Sequence, residues 1–183
     1  GINGPPYADA HNLRPCDSQR NSSRGNKKFI DGSGNSGATG TGWYPGDEWK
    51  GDVARIIMYM YLRYDERTLP SNVGIGSNSD TPDDMIDLFL HWNADDPVSD
   101  IEKQRNPYHE NTSNSDAQGN RNPFIDNPRL ATRIWGGPEA EDIWGIYSNT
   151  DTEAPSVPSG LTATNTTTYS IDLSWNASTD NVG

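Results

Sequence analysis

The residues best suited to chemistry in this chain lie in one short stretch. Asp9-Ala-His11-Asn-Leu-Arg14-Pro is followed at once by Asp17-Ser-Gln-Arg20-Asn21-Ser-Ser-Arg24-Gly-Asn26-Lys27-Lys28. Between positions 14 and 28 there are five basic side chains, Arg14, Arg20, Arg24, Lys27 and Lys28, against a single acid, Asp17, in a chain whose formal charge is -12. A local basic patch on an acidic protein points to a phosphate-bearing ligand. Cleaving a phosphodiester needs a base or hydroxide to attack phosphorus and a cation to neutralise the developing charge. Mg²⁺ takes oxygen ligands and keeps several waters, so one or two protein oxygens suffice, and the carboxamide of Asn21 can be one of them. Arg20 or Arg24 can hold a non-bridging phosphate oxygen in bidentate fashion.

These side chains must be carried by local structure. Asp17 or Ser18 can cap a helix of two or three turns that Gly25-Asn26 ends, which places Asp17, Asn21 and Arg24 on one face. Upstream, Ala8 to Leu13 has the length of a strand. Residues 31–51 are glycine-rich and aperiodic and read as a long loop. That loop has no Gly-Lys-Ser/Thr ending, and Gly74-Ile-Gly76 lacks the third glycine of a dinucleotide fingerprint, so neither phosphate-loop reading holds. Asp52 to Asp65 is apolar nearly all round and predicts a central buried helix. A second helix is expected from Thr81-Pro82-Asp83-Asp84, with the stripe Met85, Leu88, Phe89 and Trp92 inward. A third covers roughly Val98 to Gln104. Asn106 to Asn122 is loop-like, and Pro123 to Pro128 turns the chain toward Ile134-Trp135. A Pro/Ser linker over 149–157 separates residues 1–148 from residues 158–183, where Leu161-Thr-Ala-Thr is strand-like and Ile171, Leu173 and Trp175 alternate with polar residues as in a half-buried strand.

Composition narrows the class. Hydrophobic residues make up only 31% of the chain, yet six Trp and eight Tyr are available to build a modest core among long loops. Asp80 to Asp100 contributes seven acids and no Lys or Arg, and reads as a solvated face turned away from any anionic partner. The single cysteine, Cys16, excludes an internal disulfide and reads as a buried small residue. No apolar run has the length of a membrane span. The chain opens on Gly1 and stops inside a strand pattern, so we read it as a piece of a longer protein.

The motif Asp9-x-His11-Asn-Leu-x-Pro15, then Asn21-x-x-Arg24-x-Asn26, resembles the endonuclease I family of secreted and periplasmic bacterial nucleases. The resemblance continues through Gly51-Asp52-Val-Ala54-Arg55 with Tyr59-Met60, Trp92, Pro97 to Asp100, Glu102-Lys-Gln-Arg105-Asn106, and Gln118-Gly-Asn120-Arg121-Asn122-Pro-Phe124. It implies an α+β fold: a ββα-metal nuclease core, largely helical with long loops. In the family a Glu-His pair supplies a metal ligand and the general base; here that His is expected upstream of Gly1, leaving the catalytic residue unassigned. The resemblance makes Asn21 a ligand of Mg²⁺ (or Mn²⁺ or Ca²⁺) and sets Arg20, Arg24 and Lys27 on the phosphate. It places His11, Gln118, Asn120 and Asn122 near the site without assigned roles. It implies a secreted, monomeric, divalent-metal-dependent endonuclease acting on DNA and RNA with low sequence specificity, inactive as residues 1–183 alone. The tail, Ala154-Pro-Ser-Val-Pro-Ser-Gly-Leu161 with Leu173-Ser-Trp175, resembles the opening of a fibronectin type III domain, whose first two strands cannot bury a sandwich core alone.

Plainer readings stand beside these. His11 reads as a structural histidine bonded between strand and helix, and an Asn on a short helix is commonly a cap or surface amide. Glu102 and Arg105 read as an exposed helical pair. Trp43, Trp49 and Trp92 read as core, while His91 and His109 have no assigned part. The alternative functions are a nuclease-fold module that binds nucleic acid without cleaving it, and an adhesive or carbohydrate-associated extracellular protein.

Overall fold

The computed structural model describes residues 4–79, 81–147 and 154–179. In chain order its elements are α1 (Ser18–Arg24), β1 (Gly37–Thr39), β2 (Gly42–Tyr44), α2 (Lys50–Tyr64), α3 (Pro70–Val73), α4 (Asp87–Asp95), α5 (Asp100–Glu110), α6 (Pro123–Asp126), α7 (Arg129–Trp135), β3 (Ser159–Thr164) and β4 (Asp172–Asn176), with 3-10 turns at Ala10–Asn12 and Asp65–Thr68. They divide into two compact units, Gly1–Gly145 and Ile146–Gly183. The first is an α+β unit in which helices dominate and a single two-stranded sheet, β1–β2, is antiparallel with Gly37 opposite Tyr44.

The apolar circumference of α2 explains its place at the centre: Ala54, Ile57, Met58, Tyr59, Met60 and Tyr61 are all buried. α4 lies against it with Leu88, Phe89 and Trp92 inward as the spacing requires, and Met85, ahead of the helix, is buried in the same core. Trp135 of α7 stacks on Tyr61 at 6.1 Å between ring centroids. Phe29 leads the chain from α1 into this core, bridging Trp43 on one side and Gly74 on the other. No side chain fits at position 74, where a Cβ would lie 2.6 Å from both Ile86 Cδ1 and Phe89 Cζ.

Polar burial is as prominent as the apolar core. Arg55, with no exposed surface, donates through Nε to Glu102 Oε1 (2.8 Å), through Nη2 to Glu102 Oε2 (2.7 Å), and through Nη1 to the carbonyl of Asp96 (2.8 Å). Asp52 lies beside it at 3.5 Å and is itself paired with Arg14. Glu102 is therefore no exposed helical partner of Arg105. It is 3% exposed and closes a capping box with Ser99 at the start of α5, while Arg105 binds the backbone carbonyls of Ala10 and Leu13.

Several elements differ from the sequence reading. The strand expected over Ala8 to Leu13 is a 3-10 turn, because Asp9 accepts the amide of His11 and caps Ala10–Asn12. The loop read over 31–51 contains the β1–β2 hairpin, whose two-residue connection uses Gly40 at φ +53°. The helix expected from Thr81 begins at Asp87: Thr81 Oγ1 bonds the Met85 carbonyl and Asp83 takes φ +59°, so the Pro-Asp-Asp segment is a turn. α5 starts and ends later than Val98 to Gln104, and runs on through Pro107 to Glu110.

The acids of 80–100 are partly structural, since Asp84 accepts the amide of Ser71, Asp87 that of Ser77 and Asp96 that of Gly51; Asp80 lies outside the described residues. Cys16 is exposed. Trp43 and Trp92 are buried, but Trp49 is half-buried, with the Arg14 guanidinium 4.5 Å from its ring centroid. In the second unit β3 and β4 pair antiparallel, Thr162 opposite Ser174, and every residue of both strands is exposed, Trp175 at 60%. The half-burial expected of Leu173 and Trp175 is absent within this hairpin. Linker residues 149–153 lie outside the described residues.

Removing one member of a buried ion pair strands the other charge, at about 3–5 kcal/mol. Glu102→Ala should lower the unfolding free energy in urea by about that amount, and Glu102→Gln by less, because Arg55 and the Ser99 cap keep an acceptor. A loss below about 1 kcal/mol for the alanine variant would mean that the Arg55 network does not hold α2 to α5.

Candidate nucleic-acid-processing site

Helix α1 is made by its ends. The Asp17 carboxylate accepts from the amides of Gln19 and Arg20, and Gly25 at φ +53° terminates the helix with its amide on the Asn21 carbonyl. None of its seven residues is buried. Its cations are nevertheless placed. Arg20 donates to the hydroxyl and carbonyl of Ser36 on the segment entering β1. Arg24 lies over the Phe29 ring, 4.5 Å from the centroid, and partial burial lowers its pKa from the usual arginine value. Lys27 donates to the Ser23 carbonyl (2.7 Å), and Lys28 to that of Ser71 (2.7 Å). The Asn21 carboxamide is exposed, and it makes no hydrogen bond among the described residues. Asn21, Arg20 and Arg24 thus share one short helix, none of them buried, and Lys27 follows just past its C-cap.

His11, Gln118 and Asn120 meet in a different, buried assembly centred on Asp9, which is 1% exposed. Its Oδ2 accepts from Tyr64 Oη (2.7 Å), Tyr59 Oη (3.2 Å) and Gln118 Nε2 (3.1 Å), and its Oδ1 from the His11 amide. Gln118 also accepts the Ala10 amide (2.8 Å) and donates to Asn120 Oδ1 (2.8 Å), while Asn120 donates to Tyr59 Oη (2.6 Å). His11 Nε2 lies 3.1 Å from the Asn120 carbonyl. A carbonyl only accepts, so Nε2 carries the proton and Nδ1 is the bare nitrogen of the neutral ring. This assembly fixes residues 9–13, and with the Arg105 bonds and the Arg14–Asp52 pair it fixes the approach of the chain to α1.

Asn122 belongs elsewhere. Fully buried, it caps α6, exchanges bonds with Asn106, and donates from Nδ2 to the Arg55 carbonyl. Arg121, between Asn120 and Asn122, pairs with Asp126 and Glu110, and these partners raise its pKa. Among the described residues no group of three or more His, Cys, Asp and Glu could hold a metal ion.

The structure also shows residues that the sequence reading left without a part. Asp9, Tyr59 and Tyr64 are the core of the buried assembly, and His109 lies 5.0 Å from His11 between ring centroids, with its Nδ1 buried and unpaired. The Ser99-x-x-Glu102 spacing was the readable signal for the start of α5. An arginine three residues after an acid on an otherwise apolar helix was the signal for the Arg55–Asp52 pairing.

The Endonuclease I family model matches residues 1–129. The chain belongs to the Endonuclease I family. The match covers both motif-bearing segments, 9–26 and 118–124, that this Endonuclease I chain folds into a basic surface helix and the buried assembly beside its approach. An extracellular ribonuclease of Bacillus amyloliquefaciens is 40% identical over 140 residues, 71% of this chain and 47% of that protein. An extracellular ribonuclease of Bacillus subtilis (strain 168) is 39% identical over 145 residues, 74% of this chain and 49% of that protein. The chain therefore spans about half the length of these relatives. Chitinase Chi52 of Paenibacillus xylanexedens is 67% identical over 56 residues, 31% of this chain and 10% of that protein. No solved structure matches. Among the described residues no helix is long and apolar enough to cross a membrane.

Burial, more than any charge, holds both imidazoles below the ordinary histidine value of 6.5; Arg105 lowers both further, His109 lowers His11, and Asp9 works the other way on both, joined on His11 by the Asn120 carbonyl. An unfolded chain would bind protons at pH values where these folded rings do not. The stability that comes from keeping them neutral is complete above pH 6.5 and is lost as the pH falls through their folded values. His109→Gln should flatten the fall in urea midpoint between about pH 7.5 and 5.5 relative to wild type. An identical slope in the two proteins would remove His109 from the titrating pair.

Proposed function

We propose that this chain carries the metal- and phosphate-binding helix of a secreted, divalent-metal-dependent endonuclease that cleaves RNA or DNA with low sequence specificity. The observation that carries the reading is α1. On a chain of net charge -12 it carries Arg20 and Arg24 beside the uncommitted Asn21 carboxamide, with Lys27 two residues past its C-cap. The extracellular ribonucleases to which the chain is similar support both the RNA substrate and the location outside the cell.

The donor set suits a hard cation. A free amide oxygen on an exposed helix fits Mg²⁺, or Mn²⁺ or Ca²⁺ in its place, since these ions take oxygen and accept water in their remaining positions. When bound there the ion would supply charge neutralisation at the phosphate and acidify water. The chain's own residues do the rest. Arg20 and Arg24 orient the phosphate through guanidinium N–H groups, and Lys27 adds a point charge just past the C-terminal turn. Contacts to phosphate carry no base information, and low sequence specificity follows. We assign no proton transfer to His11, whose Nε2–H is committed to Asn120 and whose ring is buried. No Glu-His dipeptide occurs among the 183 residues, and we place the general base in such a pair outside them. In this reading α1 is the helix of a ββα-metal core, and β3–β4 are the opening strands of a fibronectin type III-like module.

The test is cleavage of plasmid and of structured RNA by the full-length protein with Mg²⁺, with and without chelator. Asn21→Ala should cut the rate on the order of 100-fold and shift half-maximal activity to higher Mg²⁺. An unchanged metal dependence in that variant would refute the ligand assignment. Failure of the intact, folded protein to cleave either substrate with any divalent ion would refute the enzyme reading. Residues 1–183 alone should show little or no cleavage.

A further inference from the structure

Between α1 and the β1–β2 hairpin runs an open groove of about 420 Å³, lined by Asp17, Arg20, Ser23, Ser36, Ala38 and the edge of Trp43, with Gln19 and Gly37 completing it. Its size is that of a small-molecule site, roughly 300–1,000 Å³. We propose that this groove is a nucleotide subsite: it takes one nucleotide of a single strand adjoining the phosphate to be cleaved. The proposal rests on the nuclease reading above and adds to it a place for the substrate strand.

Three observations carry it. First, Arg20 is held in advance. Its Nη1 donates to the carbonyl and hydroxyl of Ser36, so the guanidinium is fixed across the groove with its remaining N–H groups free for an anion. A cation ordered before binding loses less side-chain entropy on contact than a free one. Second, the lining combines one cation with small residues. Arg20 attracts phosphate, whereas Asp17 repels it and has one carboxylate oxygen, Oδ1, committed to capping α1. In this subsite the phosphate meets the Arg20 guanidinium, and the sugar and base lie along Ser36, Gly37 and Ala38, whose small side chains leave room. Third, a second groove of similar size has the wrong charge. It measures about 370 Å³ and is lined by Asp31, Asp87 and Asp95 beside His91, and three carboxylates exclude a phosphate chain.

Position 37 gives a clean probe. A Cβ added to Gly37 meets nothing within 4 Å and its backbone is not in the left-handed region, so the site accepts a side chain without strain. Residues 1–183 are titrated against a fluorescent single-stranded oligonucleotide, DNA and RNA in separate arms, with EDTA present so that nothing is cleaved, and binding is read by anisotropy. Gly37→Lys should tighten binding and Gly37→Glu weaken it, each about fivefold or more. Arg20→Ala should weaken it similarly and reduce the slope of log affinity against log salt by about one. Glu66→Gln makes the same change in charge as Gly37→Lys just past the C-terminal end of α2, at a residue that does not line the groove, and should leave affinity within twofold. If wild type binds the strand and the two Gly37 variants and Arg20→Ala bind equally well, the subsite is refuted while the nuclease reading stands. If Glu66→Gln moves affinity as far as Gly37→Lys, the attraction is diffuse charge and the subsite is likewise refuted. If wild type binds neither strand and the full-length protein cleaves nothing, the nuclease reading falls and the subsite with it.

Discussion

A buried guanidinium must have every N–H matched or it costs several kcal/mol, and the first unit is arranged around that demand at Arg55. Glu102 answers two of its donors, and the carbonyls of Asp96 and Pro97 answer others. These bonds fix α5 and the loop before it against α2. The neighbouring Asp52 takes Arg14 and the Ser99 hydroxyl, tying the chain ahead of α1 to the same place. Even the Arg55 carbonyl is used, by the Asn122 side chain that starts α6. Three separated stretches of sequence thus reach their positions against Arg55 and its neighbour Asp52 on α2. The apolar core alone would not select this arrangement, because hydrophobic contact has no direction.

The Asp9 assembly has the same logic on a smaller scale. Two tyrosines, a glutamine, an arginine and a backbone amide converge on one carboxylate with 1% exposure. Such a network specifies a unique geometry because every member left unpaired would be costly. Its output is the course of residues 9–14. With Asp9, His11 and Tyr59 all buried, what the assembly contributes is a fixed approach of the chain to α1.

Much of this was legible in the sequence, and the failures share a cause. The two ends of α1, the central helix and the inward stripe of Leu88, Phe89 and Trp92 follow from local chemistry, capping and 3.6-residue periodicity, and they stand in the structure. What misled was polarity. Glu102 and Arg105 looked solvated because charged residues usually are, yet Glu102 is buried with a partner 47 residues away and Arg105, half-buried, binds the carbonyls of Ala10 and Leu13. Asp9 made the strand over Ala8 to Leu13 a turn by accepting a nearby amide, a side-chain choice that hydrophobic pattern cannot register. The hairpin at 37–44 was hidden by its glycines, which read as loop although one of them supplies the turn. The separation between the buried motif residues and the exposed basic helix was equally illegible, since both belong to one run of motifs in the chain.

Helix α1 buries none of its residues and has only seven. An isolated helix of that length is not stable in water, because the nucleating turn costs more than the few bonds after it return. It is held by its two caps, by Arg20 on Ser36 and by Arg24 on Phe29, all at or near the surface. Its opening is therefore a local event whose free energy lies well below that of the whole unit, and its amides belong among the quickly exchanging ones. Any ion or strand that binds only the closed helix shifts that local equilibrium as well as its own. For such a ligand the affinity would contain the free energy of closing one short helix, and a stronger cap would tighten binding without touching a single contact to it.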